Sequence, residues 1–171
     1  MSIYTSSINR QRAFKTNRVI LSFVLAIILS LISSNNMVFY NPLWIVLFLI
    51  YWHIRIDIKE SYNNLYYAFI LGIICDLIFS KAIGISAISY LIISYILSTL
   101  KPKIYFYTLL QITVMVFMLL LINQTVFLLY SLYFGVINNF TKVIFFAPIV
   151  TSLLVWPIVC IILDRFFLKS K

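Results

Sequence analysis

The sequence predicts an all-α integral membrane protein with six transmembrane helices, and three observations predict it. Hydrophobic residues fill 64% of the 171 positions and charged residues only 10%, whereas a soluble domain carries roughly 45–50% apolar residues. The mean hydropathy is +1.08, and the apolar residues fall in long runs whose polar links are too short to bury a soluble core of their own. Finally, six alternating spans with the N-terminus inside leave 11 of the cations on the inner side (Arg10, Arg12, Lys15, Arg18, Arg55, Lys59, Lys101, Lys103, Arg165, Lys169 and Lys171) and 2, Lys81 and Lys142, on the outer. That bias obeys the positive-inside rule and puts both termini in the cytoplasm. Five spans would carry the C-terminal cations outside and spoil it.

The elements follow in order. Residues 1–18 form a basic cytoplasmic tail with four cations and no acid. The run Val19 to Ile32, closed by Ser33-Ser34-Asn35-Asn36, has the charged start and short apolar core of a signal peptide, but the apolar runs behind it argue for a retained first span. Asn41-Pro42 reads as a helix start, with Asn41 as cap and Pro42 at the first helical position, where a missing N–H is harmless. The second span runs to Ile54, with Tyr51 and Trp52 as interfacial anchors. His53, the lone histidine, reads as an interfacial residue.

Span three covers about Leu65 to Phe79 and turns over Ser80 to Gly84. Span four runs from Ile85 to Leu100, with Ser86, Tyr90, Ser94 and Ser98 on one four-step row, and Lys101-Pro102-Lys103 ends it. Span five is expected over Tyr105 to Phe127, followed by an interfacial piece holding Tyr130 and Tyr133. Asn123 and Gln124 mark where the chain leaves the hydrocarbon or meets protein. Span six covers Val143 to Leu163, with Pro148 near its start and Trp156-Pro157 in the middle, where a proline removes one hydrogen bond. A single polytopic domain over 19–168 and a short cytoplasmic tail at 169–171 complete the chain.

Asp76 is the residue to explain. It stands inside an apolar run, and a charge at such depth costs a few kcal/mol unless it faces protein or water. Steps of four give Ala68, Gly72, Asp76 and Ser80, which stack on one helix face. Small residues at that spacing let helices approach closely in a bilayer, so this face is a packing seam. The hairpin of spans three and four is therefore the expected core of the fold, with Asp76 pinning its two helices. Two other roles for Asp76 stay open, contact with a partner protein and binding of a cation or substrate amine.

Composition also bounds the chemistry. A net charge of +9 invites a nucleic-acid reading, but the cations flank apolar segments and mark topology and anionic headgroups of the lipid bilayer. The cysteines, Cys75 and Cys160, both lie within spans, so neither a disulfide framework nor a metal site is expected. The acids Asp57, Glu60 and Asp164 read as solvated edge charges balanced by neighbouring cations. With no second acid or histidine at the level of Asp76, general acid–base chemistry has little to work with. No catalytic residue, metal or cofactor is expected.

Several stretches, in order across the chain, carry a family likeness. They are the basic N-terminus, Asn41-Pro42-Leu43-Trp44, Leu49-Ile50-Tyr51-Trp52, Leu71-Gly72-Ile73-Ile74-Cys75-Asp76-Leu77-Ile78, Ala82-Ile83-Gly84 and Val155-Trp156-Pro157. Together they resemble the rod shape-determining protein MreD of Gram-negative bacteria. The resemblance implies a non-enzymatic, multi-pass subunit of the inner membrane that belongs to the rod (elongation) complex. It implies binding to the bitopic protein MreC, in company with MreB, RodA and its transpeptidase partner, in lateral peptidoglycan synthesis. It also implies a fold similar to the six-helix substrate-binding subunits of energy-coupling-factor transporters, which makes a small-molecule-binding transporter subunit the alternative function. Ala68, Gly72, Asp76, Ser80, Gly84, Pro42, Trp44, Trp156 and Pro157 are the expected structural or partner-contact residues.

Overall fold

A computed structural model describes residues 19–33, 41–55, 61–79, 84–104, 106–134 and 142–168. Among the described residues the chain is all-helical, with helices α1 (Val19–Ser33), α2 (Trp44–Arg55), α3 (Ser61–Ile78), α4 (Ile85–Ile104), α5 (Leu109–Tyr133) and α6 (Lys142–Leu163). One π-helical turn, Asp164–Leu168, continues α6. Ile85–Ile104, Leu110–Tyr133 and Phe145–Phe166 are long and apolar enough to cross a membrane. The expected six helices are therefore present, and three have the full length of a span.

Burial separates inner from outer helices. Every residue of α2 from Ile45 to His53 is buried, as expected for a helix that is apolar on all sides and enclosed by others. The second inner helix is α4, which packs against α2, α3 and α5. By contrast α1, α5 and α6 turn wide aliphatic faces outward, such as Leu21, Leu25 and Ile28 on α1 and Val150, Leu154 and Ile158 on α6. In water such faces would cost about 25 cal/mol per Å². Hydrocarbon removes that cost, so they are the lipid-facing surface of a membrane protein.

Without a hydrophobic driving force between helices, hydrogen bonds and close packing hold the bundle. Trp52 Nε1 donates to Ser22 Oγ at 2.6 Å, which ties α1 to α2. The Leu43 N–H, at the start of α2, donates to Ser152 Oγ of α6 at 2.8 Å. At the far end of α2, Tyr51 Oη donates to Asp164 Oδ1 at 2.5 Å and Arg55 Nη2 to Asp164 Oδ2 at 2.7 Å. Asp164 thus clasps α2 to the end of α6, while Arg55 lies over the Tyr51 ring. Helix α6 contains Pro148 and Pro157, and the Ser152 hydroxyl bonds back to the Pro148 carbonyl at 2.6 Å.

Several boundaries and placements differ from those expected. Helix α2 starts at Trp44, and the first carbonyl to accept within it belongs to Leu43. Asn41 is therefore not its cap and Pro42 is not its first helical residue. Asn41 instead accepts from Ser33 Oγ at 2.7 Å. Tyr51 and Trp52 are buried within the bundle, where both polar tips find partners on other helices. His53 is buried as well, with Nε2 at 3.4 Å from Ser98 Oγ of α4.

Lys101-Pro102-Lys103 does not end α4, which runs on to Ile104. A proline so near a C-terminus removes only one bond, and Lys101 is buried instead of sitting in a loop. Helix α5 is one unbroken helix of 25 residues to Tyr133, about 37 Å at 1.5 Å per residue. The separate interfacial piece expected after Phe127 is its last turns.

The start of α5 is set by a capping box. The Gln111 N–H donates to Thr108 Oγ1 at 3.4 Å, and the Thr108 N–H donates to Gln111 Oε1 at 2.8 Å. A reciprocal pair of this kind satisfies two otherwise orphaned donors. Thr108→Ala is expected to cost about 1 kcal/mol locally. Hydrogen exchange at the Gln111 amide should accelerate accordingly, and an unchanged rate would show that the cap is idle.

Candidate functional site: the α3–α4 seam

The seam is built from small residues upward. Ala68, Gly72 and Asp76 lie one turn apart on α3, all buried. A methyl group built on Gly72 would stand 2.3 Å from Ala87 Cα and 2.6 Å from Ala87 N, both backbone atoms of α4. Glycine is therefore what lets the two backbones touch here. Beyond the crossing the chain turns at Gly84, whose φ of +107° lies in a region that disfavours side chains. Ile85 then opens α4.

Asp76 reaches across that turn. Its carboxylate is fully buried and accepts the Gly84 N–H at 2.8 Å on Oδ2 and the Ser86 N–H at 3.1 Å on Oδ1. These amides belong to the first turn of α4, where the donors have no partner within the helix. The helix dipole at that end also favours a negative group. Asp76 is thus an N-cap donated by the neighbouring helix, and it connects α3 to α4 electrostatically next to the point where Gly72 brings them into contact. Tyr90, one turn into α4, is buried, as is Cys75, the neighbour of Asp76 on α3.

The structure brings Ala68, Gly72, Asp76 and Gly84 together at this seam. Ser80 lies outside the described residues. Pro42 lies two residues before the start of α2, Trp44 is half-buried at that start, Trp156 is buried on α6 and Pro157 is exposed there; these four belong to other parts of the bundle. Of the four-step row on α4, Ser86 does meet Asp76, but through its backbone amide. Sequence reading missed Ala87, whose backbone is the other half of the crossing, and Ser152. It also missed the bond from Ser89 Oγ to Asn123 Oδ1 at 2.7 Å, which joins α4 to α5. Only the polarity of Asn123 inside an apolar run signalled a protein contact.

That last bond gives a measurable quantity. A double-mutant cycle of Ser89→Ala and Asn123→Ala should return a coupling of about 0.6 kcal/mol, typical of one interhelical hydrogen bond in a bilayer. A coupling indistinguishable from zero would remove this bond from the account of α4–α5 packing.

The chemical capacity of the seam is that of a clasp. Both carboxylate oxygens of Asp76 accept protein amides. The other described carboxylate, Asp164, sits with Tyr51 and Arg55 at the end of α2 that lies by Ser98, the opposite end of α4 from Gly84. The two acids cannot act as a pair. Among the described residues, no three of His, Cys, Asp or Glu gather as metal ligands.

The sequence model of the family described as rod shape-determining protein MreD matches residues 11–170. The chain belongs to the MreD family. The match embraces all six helices and the α3–α4 seam, so the resemblance to this family is borne out. Membership makes the chain a rod-shape determination component built into a membrane, in a family that is not one of known enzymes. No solved structure matches the chain.

Proposed function

We propose that this chain is a non-enzymatic, multi-pass subunit of the bacterial inner membrane that binds MreC. With MreB, RodA and its transpeptidase partner, it helps to organise lateral peptidoglycan synthesis and rod shape. The observation that carries this reading, beside family membership, is the state of Asp76. The one acid buried among the described helices already holds the start of α4, so it serves as a scaffold and leaves the lipid-facing helices as the surfaces for partners. The cation distribution supports cytoplasmic placement of both termini. A bundle of six helices is compatible with likeness to the substrate-binding subunits of energy-coupling-factor transporters. We read residues 19–168 as a single membrane domain between short basic tails.

Co-purification from native membranes in mild detergent tests the function. MreC should be retained with the chain, and native mass spectrometry should show no bound solute. A chain that leaves MreC behind and keeps a small ligand belongs instead to a transporter. Accessibility of cysteines introduced beside Lys81, Lys103 and Lys142 tests the topology, with Lys103 on the side opposite the other two.

A further inference from the structure

Helices α1, α2 and α6 are pinned together at one end and stop at different heights at the other. At the pinned end Ser22 of α1 meets Trp52 of α2, and Arg55 of α2 meets Asp164 at the end of α6. At the opposite end, outer by the cation distribution, Ser33 closes α1 and donates to Asn41 at 2.7 Å. Leu43, just before α2, donates to Ser152 of α6 at 2.8 Å. Helix α6 does not stop at that level. It reaches outward for ten more residues, to Lys142, about 15 Å at 1.5 Å per residue.

The apolar surface shows the same step. Exposed apolar side chains on α1 run from Ile20 to Ile32, about 18 Å along the axis. On α6 they run from Phe146 to Ile162, about 24 Å, and on α5 from Leu110 to Leu132, about 33 Å. A hydrocarbon core is about 30 Å thick, so α5 matches it and α1 falls short by about 12 Å. Helix α2 does not make up the difference, since its 12 residues also rise only about 18 Å.

A short span can sink into the bilayer, tilt, or draw the bilayer thin around itself. Tilting lowers the height that a helix covers, and α1 is bonded near both ends to α2 or its approach, so it does not tilt apart from the bundle. Sinking would carry the Ser33–Asn41 pair and the start of α2 into hydrocarbon. Among the described residues the first-turn N–H groups of Ile45 and Val46 find no acceptor, and donors at a helix start are ordinarily met by water. Hydrocarbon leaves such donors unmet, whereas thinning a bilayer costs little per ångström.

We infer that the bilayer is thinner beside α1 than beside α5 and α6, with outer-leaflet headgroups and their water drawn down to the level of Ser33 and Asn41. The lipid itself is the partner of this face. A step in thickness of this kind sorts membrane proteins by the length of their spans. The inference takes its inside and outside from the topology proposed above and owes nothing to MreC.

The test compares two exposed positions at nearly the same height, Ile32 on α1 and Val150 on α6. Each is changed singly to cysteine in the full chain, which is reconstituted in vesicles of dioleoyl phosphatidylcholine and phosphatidylglycerol. A sulfonated maleimide, present on both sides of the membrane, reads which thiol meets water, because the thiolate is the reacting form. Ile32→Cys should be labelled at least about tenfold faster than Val150→Cys, above the background of Cys75 and Cys160 in the parent chain. The difference should persist in the longer dierucoyl lipids, where protection of Ile32→Cys would mean that α1 sinks and would overturn the inference. Equal protection of both cysteines would show a bilayer of one thickness around the bundle. Equal labelling would put the outer boundary at this level on every side, with the ends of α5 and α6 outside the membrane. Either result overturns the inference.

Discussion

Gly72→Leu will drive α3 and α4 apart and is expected to destabilise the bundle by more than any other single substitution on this seam. Even the first carbon of a side chain at Gly72 would overlap Ala87 Cα at 2.3 Å and approach the Ser86 carbonyl carbon at 2.9 Å. The obstacle is backbone on the facing helix, so no rotamer change relieves it. Overpacking of this kind typically costs 1–3 kcal/mol, and here two consequences add to it. The small-residue packing that replaces the hydrophobic effect between membrane helices is lost, and the Asp76 carboxylate, one turn further along α3, is carried away from the amides it caps. We expect Gly72→Ala to fall within that range and Gly72→Leu to lie at or beyond its upper end. Reversible unfolding in detergent, followed by tryptophan fluorescence, measures both. Near wild-type stability for Gly72→Leu would mean that the two helices do not cross at this residue.

The same seam shows which features the sequence made legible. The inward direction of Asp76 followed from its depth and from the small residues one turn apart beside it, since hydropathy and helical period are local properties of the chain. The six apolar runs likewise became six helices, because in hydrocarbon a backbone can satisfy its polar groups in few other ways. What stayed hidden depends on distant partners. Helix α2 begins at Trp44 and not from Asn41, and the hydroxyl that receives the Leu43 N–H comes from Ser152, 109 residues away. Trp52 and Tyr51 carry the signature of interfacial anchors, yet Ser22 and Asp164 draw them inward. Lys101-Pro102-Lys103 looks like a stop, but burial of Lys101 keeps α4 helical through it. The capping box at Thr108 was written in the local sequence, and the unbroken hydrophobicity around it masked it.

Asp76→Leu is expected to unseat the start of α4 by removing both acceptors that hold it. Leucine is larger than aspartate and apolar, so the substitution removes the acceptors without opening a cavity and adds an overpacking cost at this fully buried position. The Gly84 and Ser86 amides then lose their partner at a site where water does not replace it, and a buried donor left unsatisfied costs about 1–3 kcal/mol. The favourable interaction of a carboxylate with the start of α4, up to about 2 kcal/mol in buried geometry, disappears with them. Against these losses stands the relief of not burying a charge, which insertion scales place at about 2.5–3.5 kcal/mol at the centre of a span. Asp76 lies toward the end of α3, where that relief is smaller, so the net effect is destabilising. Asp76→Asn divides the terms, because its carboxamide keeps one acceptor oxygen and gives up the charge, and it should fall between wild type and leucine. Amide hydrogen exchange at Gly84 and Ser86 reports the cap directly and should accelerate in the order wild type, asparagine, leucine. Equal protection in all three proteins would show that α4 starts without help from α3, and the carboxylate would then need another reason to be buried.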